Sequence, residues 1–100
     1  MIIRVKKVAG WGKMLGLVGV KKPQAIMFKT RFGIHTFGLK FPIDVLVLDN
    51  NGCIAKSVQG LVPNRIFLWN PKYNTVIELP SETIEKSKIK LHEKINLIIK

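Results

Sequence analysis

A nearly unbroken run of Val, Ile and Leu from Ile43 to Leu48 ends in Asp49-Asn50-Asn51-Gly52, and Cys53 to Val58 returns from it as the next strand. So short an apolar run, bounded by turn residues, reads as a central strand covered on both faces. Asn-Gly between two such runs is the sharpest short hairpin signal, because both residues tolerate the positive φ of a tight primed turn. A chain built around this hairpin must supply further strands to cover it. The flanking sequence does so. Residues 1–8 are β-branched and partly alternate apolar with charged, and residues 25–28 form a short buried-type strand. Ile34 to Leu39 alternates, with Ile34, Thr36 and Gly38 on one side and His35, Phe37 and Leu39 on the other. Residues 66–69, 75–79 and 95–99 complete the set. Ser81 offers a cap for a short helix, with Glu82 and Glu85 near its positive end and Lys86 and Lys88 near the other. Residues 10–20 are glycine-rich, which limits any helix there to a turn or so. Short strands with turn signals every eight to twelve residues predict a mainly β fold. The expectation is a small single-domain β-sandwich or barrel over residues 1–100, with one or two short helices.

Composition narrows the function. One hundred residues allow one hydrophobic core, and 47% hydrophobic content is too high for a disordered chain. Cys53 is the only cysteine, so neither a disulfide framework nor a disulfide-linked partner is expected, and a cysteine-based zinc site is excluded. No uncharged apolar run approaches the roughly 20 residues that span a bilayer. Arg4, Lys6 and Lys7 interrupt the first apolar stretch, which is unlike a secretory signal. With the unpaired thiol, this points to the cytoplasm. Lysine and arginine outnumber the acids 17 to 6, a formal charge of +11. That balance favours a polyanion or an acidic partner, or else serves solubility.

Few residues are arranged for chemistry. His35 lies on a strand face with Phe37 and Leu39, Lys40 follows that strand, and Asp44 opens the next. If the three meet at one sheet end, they make an anion-binding or proton-handling cluster. Otherwise His35 is a rim residue and Lys40 with Asp44 a structural pair. Trp11 and Trp69 offer faces for stacking on bases, with Lys21 and Lys22 as phosphate contacts. Trp69 serves equally as a cover for one end of the core. Asp44, Asp49, Glu78, Glu82 and His92 show no metal-ligand spacing, so no metal is assigned. Glu78, inside a strand, either faces solvent or pairs with a neighbouring cation. Cys53 has no second cysteine nearby, and Ser57 and Ser81 lie in no nucleophile elbow. The glycines at 10, 12, 16 and 19 do not form a phosphate loop. No cofactor and no catalytic residue are assigned.

Four stretches, spread over about residues 14–97, together resemble the domain of unknown function 192 family of small bacterial and archaeal proteins. Gly16-Leu17-Val18-Gly19 resembles its Gly-Leu-Met-Gly signature, and Ala25-Ile26-Met27-Phe28 its Gly-Met-Leu-Phe strand. The third runs from His35 through Phe37, Leu39 and Lys40 to Pro42-Ile43-Asp44, then Leu48 to Gly52. The fourth, Val76-Ile77-Glu78-Leu79-Pro80, is similar to the element before a short helix. Gly38-Leu39-Lys40 stands where the family has Trp-Met-Lys, and His92-Glu93 where it has Gly-Asp. The resemblance implies a β-rich domain and carries no activity. The functional expectation is a binding or interaction module with a polar patch near His35, Lys40 and Asp44. The alternative is weak, sequence-independent nucleic-acid binding through a basic surface. A small hydrolase using His35 with Asp44 ranks behind both, for want of a nucleophile.

Overall fold

A computed structural model describes residues 1–7 and 24–99. Eight strands carry most of it: β1 (Ile2–Lys7), β2 (Ile26–Lys29), β3 (Gly33–His35), β4 (Ile43–Leu48), β5 (Ile54–Leu61), β6 (Ile66–Leu68), β7 (Thr75–Pro80) and β8 (Asn96–Ile99). The one helix among the described residues, α1 (Thr83–Lys86), spans a single turn. The mainly β expectation holds. Expected contacts at Trp11, Lys21 and Lys22, and the glycine-rich stretch, lie outside the described residues.

Six strands form one sheet in the order β5-β4-β7-β2-β1-β8, and β3 pairs with β6 in a separate ribbon. The hairpin legible in the sequence is β4–β5, antiparallel, with register shifts at both ends of β4. β4 also pairs antiparallel with β7, and β7 with β2. β1 runs parallel to both β2 and β8. Parallel neighbours need a crossover of a dozen or more residues, and residues 8–25 supply that length between β1 and β2.

The sheet is not a closed barrel, but its two edges meet at one corner. Cys53 bridges Lys94. The Ile54 N–H donates to the Glu93 carbonyl at 2.9 Å, the His92 N–H to Ile54 at 2.8 Å and the Ile95 N–H to Gly52 at 2.9 Å. The sheet therefore curls, with an inner and an outer face.

All six residues of β4 are buried, because both faces are covered. Leu46 and Leu48 pack inward with Ile3, Val5, Met27, Ile54, Ile77 and Leu79. Ile43, Val45 and Val47 pack outward with Ile26, Phe28, Trp69 and Val76. On this outer side the β3–β6 ribbon applies Ile34 and Phe67 to the sheet. Each such side chain contributes about 1.5–3 kcal/mol of burial.

Two expectations change. The strand over residues 34–39 stops at His35. Thr36 turns the chain instead: the Leu39 N–H donates to the Thr36 carbonyl at 3.2 Å, and Gly38 takes φ 87°. Leu39 is consequently buried while His35 and Phe37 face solvent. The helix is not capped by Ser81 either. Its N-cap is Glu82, at φ 73°, with no side-chain capping bond. The Asp44 carboxylate, forty positions earlier in the chain, receives the Ile84 N–H instead.

Thr36 is the fastening of the ribbon. Fully buried, its hydroxyl donates to the Val62 carbonyl at 2.7 Å and accepts the Arg65 N–H at 2.8 Å. Its backbone exchanges further bonds with Asn64 and Arg65. Thr36→Val keeps the shape and removes both hydroxyl bonds. Loss of these bonds, with the Arg65 N–H left unpaired, is expected to cost about 1–3 kcal/mol. Urea denaturation of the two proteins measures it.

Candidate functional site

His35, Lys40 and Asp44 occupy different environments. His35 is exposed at the end of β3 and Lys40 is exposed in the following bend, whereas Asp44 is fully buried in β4. Asp44 Oδ1 accepts the Gly60 N–H at 2.9 Å, and Oδ2 accepts the Ile84 N–H at 2.8 Å. Gly60 sits at φ 62°, a conformation glycine adopts freely. The carboxylate thus ties β5 to the start of α1. Among the described residues no hydrogen bond or ion pair joins His35, Lys40 and Asp44. Ion pairs elsewhere join the Met1 amine to Glu93 and Lys86 to Glu82.

His35 belongs to a different group. Its ring stacks on Phe37, with centroids 5.3 Å apart. The Phe37 N–H donates to His35 Nδ1 at 3.3 Å, which leaves Nε2 to carry the proton of the neutral ring. The register sets the face: Gly33 opposes Leu68, and His35 opposes Ile66. Alternation then turns Ile34 and Phe67 toward the core and Ile66 and Leu68 toward solvent. The outer face of the ribbon is a shallow concavity lined by Phe32, His35, Phe37, Ile66 and Leu68, with Arg31 beside it. Phe32 is 65% exposed, Ile66 63%, Leu68 60% and Phe37 49%. Four large apolar side chains presented together are uncommon on a surface with no partner.

Two local features build this face. Phe32 takes φ 74°, which for a bulky residue is an outlier costing about 1–3 kcal/mol. Gly33 is required opposite Leu68: a Cβ there would stand 2.6 Å from Leu68 Cδ2 and 2.5 Å from the Phe67 carbonyl oxygen. Behind the face, Lys56 Nζ donates to the Leu68 carbonyl at 2.8 Å and lies 5.0 Å from the Phe67 ring centroid.

Trp69 is a core residue, 6% exposed, and its Nε1 donates to the Tyr73 carbonyl at 2.8 Å. Its burial takes the ring away from the stacking role that the sequence left open and fits the core-covering one. Glu78 does not face solvent; it is 3% exposed, between Ile26 and Val45 on neighbouring strands. Among the described residues, neither Cys53 nor a serine hydrogen-bonds to a histidine, no cluster of acids, histidines or cysteines is gathered for a metal, and no helix is long and apolar enough to cross a membrane.

Two crystal structures share this fold. One is a protein of unknown function from Novosphingobium aromaticivorans, with a TM-score of 0.77 at 12% identity, covering 93% of this chain and 71% of that one. The other is a candidate transcription regulator from Sinorhizobium meliloti, with a TM-score of 0.77 at 15% identity, covering 93% of this chain and 78% of that one. At these identities the likeness is one of fold alone. No family model and no curated protein matches the chain.

The sequence pointed to His35 and missed its neighbours Phe32, Phe37, Ile66 and Leu68 as a surface. A signal was present, since Ile66-Phe67-Leu68 read as a strand places Ile66 and Leu68 on one face. What the sequence lacked was the knowledge that β6 stands outside the main sheet, paired only with β3.

Proposed function

We propose that this protein is a small interaction module whose contact surface is the outer face of the β3–β6 ribbon. The observation that carries it is the grouping of Phe32, Phe37, Ile66 and Leu68 around one concavity. The partner is a protein segment with apolar side chains and carboxylates. The apolar groups match the concavity, and the acids match Arg31 and a chain of charge +11. A second copy of the chain carries the same charge and is disfavoured by repulsion. Within this reading, His35 and Lys40 are rim groups and Asp44 is a buried support. The resemblance to the domain of unknown function 192 family is kept as part of the proposal. Its most specific stretch, His35 to Gly52, runs from the ribbon through β4 into the hairpin turn.

A displayed-peptide selection tests this. The wild-type protein is the bait, and a variant carrying Ile66→Ser and Leu68→Ser is the counter-bait. The expected winners mix Leu or Phe with Asp or Glu. The double variant is expected to bind them at least about thirtyfold more weakly, the worth of one hot-spot residue. Peptides without acids, or binding equal to both baits, would overturn the reading.

The stacked His35–Phe37 pair beside Arg31 favours a second reading, single-stranded nucleic acid stacked on the same face. Anisotropy with labelled single- and double-stranded DNA and RNA separates the two. Nucleic-acid binding would weaken steeply with salt and fall on Phe37→Ala. Absence of binding in dilute buffer removes this second reading.

A further inference from the structure

The main sheet carries a second opening, where β1, β2 and β4 finish and β7 begins. An open cleft of about 470 Å³ lies there. Small-ligand sites are typically roughly 300–1,000 Å³, with an apolar lining and a few placed polar groups. The accessible apolar part of this cleft comes from Leu97 and Ile99, with Met27, Leu48 and Ile95 nearly covered beneath them. Its cations are Lys7, at the end of β1, and Lys29, at the end of β2. Lys29 is already positioned, because its Nζ donates to the Thr75 hydroxyl at 2.8 Å. The one carboxylate of the lining, Asp49, is engaged in the hairpin turn: its Oδ1 accepts the N–H groups of Asn51 at 2.8 Å and Cys53 at 2.9 Å. Two ammonium groups against this one carboxylate leave the cleft with an excess of positive charge beside its apolar lining. The stitched corner makes one wall firm, since Gly52 and Ile95, both in the lining, are hydrogen-bonded to each other.

We propose that this cleft binds a small amphipathic organic anion. The acid head pairs with Lys7 and Lys29, and the apolar body lies on Leu97 and Ile99. The site is separate from the β3–β6 surface and does not depend on it.

Sodium octanoate is the probe, with octanol and acetate as controls for head and tail, titrated into the isotope-labelled protein and followed by amide shifts. Saturable shifts are expected at Leu48, Thr75 and Leu97. Octanol and acetate are each expected to bind at least about tenfold more weakly than octanoate, because each lacks one of the two contacts. Lys7→Met and Lys29→Met are each expected to weaken octanoate about tenfold, the worth of one charge-assisted hydrogen bond. Both lysines are exposed, so the variants should unfold at the wild-type urea midpoint. No saturable shift, shifts outside the cleft, equal binding of octanol, or octanoate binding indifferent to both substitutions would each overturn the proposal. Phosphatidylglycerol vesicles form the last arm. Vesicle binding without octanoate binding would assign the acid head to a lipid surface and overturn the free-ligand site.

Discussion

Asp44→Ala is expected to destabilise the protein by about 3–5 kcal/mol. Two hydrogen bonds to the carboxylate disappear, and the Ile84 N–H is left without a partner in a buried site, while the Gly60 N–H is only part-buried. At roughly 4–8 °C per kcal/mol for a domain this size, the melting temperature should fall by at least about 12 °C. Asp44→Asn tests the cause. An amide keeps one acceptor oxygen but turns its NH2 toward one of the two N–H donors, so it should recover only part of the loss. His35→Ala is the contrast. Its exposed ring holds no buried group, and its stability should stay within about 0.5 kcal/mol of wild type. Urea midpoints of the three variants settle the comparison. An Asp44→Ala protein as stable as wild type would show that the carboxylate is not the clamp between Gly60 and Ile84.

Phe28→Ala should be comparably costly, about 3–5 kcal/mol, since the ring is 1% exposed and its removal opens a cavity in the outer core. The effect should also be directional. Phe28 belongs to the cluster on which Ile34 and Phe67 seat the ribbon. Amide exchange in β3 and β6 should therefore quicken more than in β4 and β5, whose inner face packs in the other cluster. Uniform acceleration would mean that the two faces of the sheet are not separately supported. If the ribbon is the contact surface, the same substitution should weaken peptide binding although Phe28 itself lies outside the concavity.

Much of the strand inventory was legible because it is local. The Ile43–Leu48 run appears where periodicity places it, and Thr75 to Leu79 likewise. The turn, however, centres on Asn50-Asn51, closed by the Gly52 N–H on the Asp49 carbonyl at 3.1 Å, with only Gly52 of the four at positive φ. The other errors share one cause, a distant partner overriding a local preference. Ser81 was a sound capping residue by type, but Asp44 reached Ile84 first. The alternation over residues 34–39 was real, yet Thr36 found Val62 and Arg65 and bent the chain. His35, Lys40 and Asp44 are close in sequence, and their separation depends on which faces of β3 and β4 are covered. The cleft left no local trace, because Lys7, Lys29 and Thr75 come from three strand ends that only the sheet order brings together.

The pairing of β1 with β8 has a consequence for biosynthesis. Ile2 takes Asn96 as its register partner, so one flank of β1 waits for a strand 94 positions later. At translation rates of about 5–20 residues per second, the interval is on the order of 5–20 s. The β4–β5 hairpin can form as soon as both arms emerge from the ribosome. The β1 flank cannot be sealed until β8 follows, and contacts of such long range slow folding. A nascent chain stalled before Asn96 should hold its hairpin while β1 remains an open edge, available to chaperones or to another nascent chain.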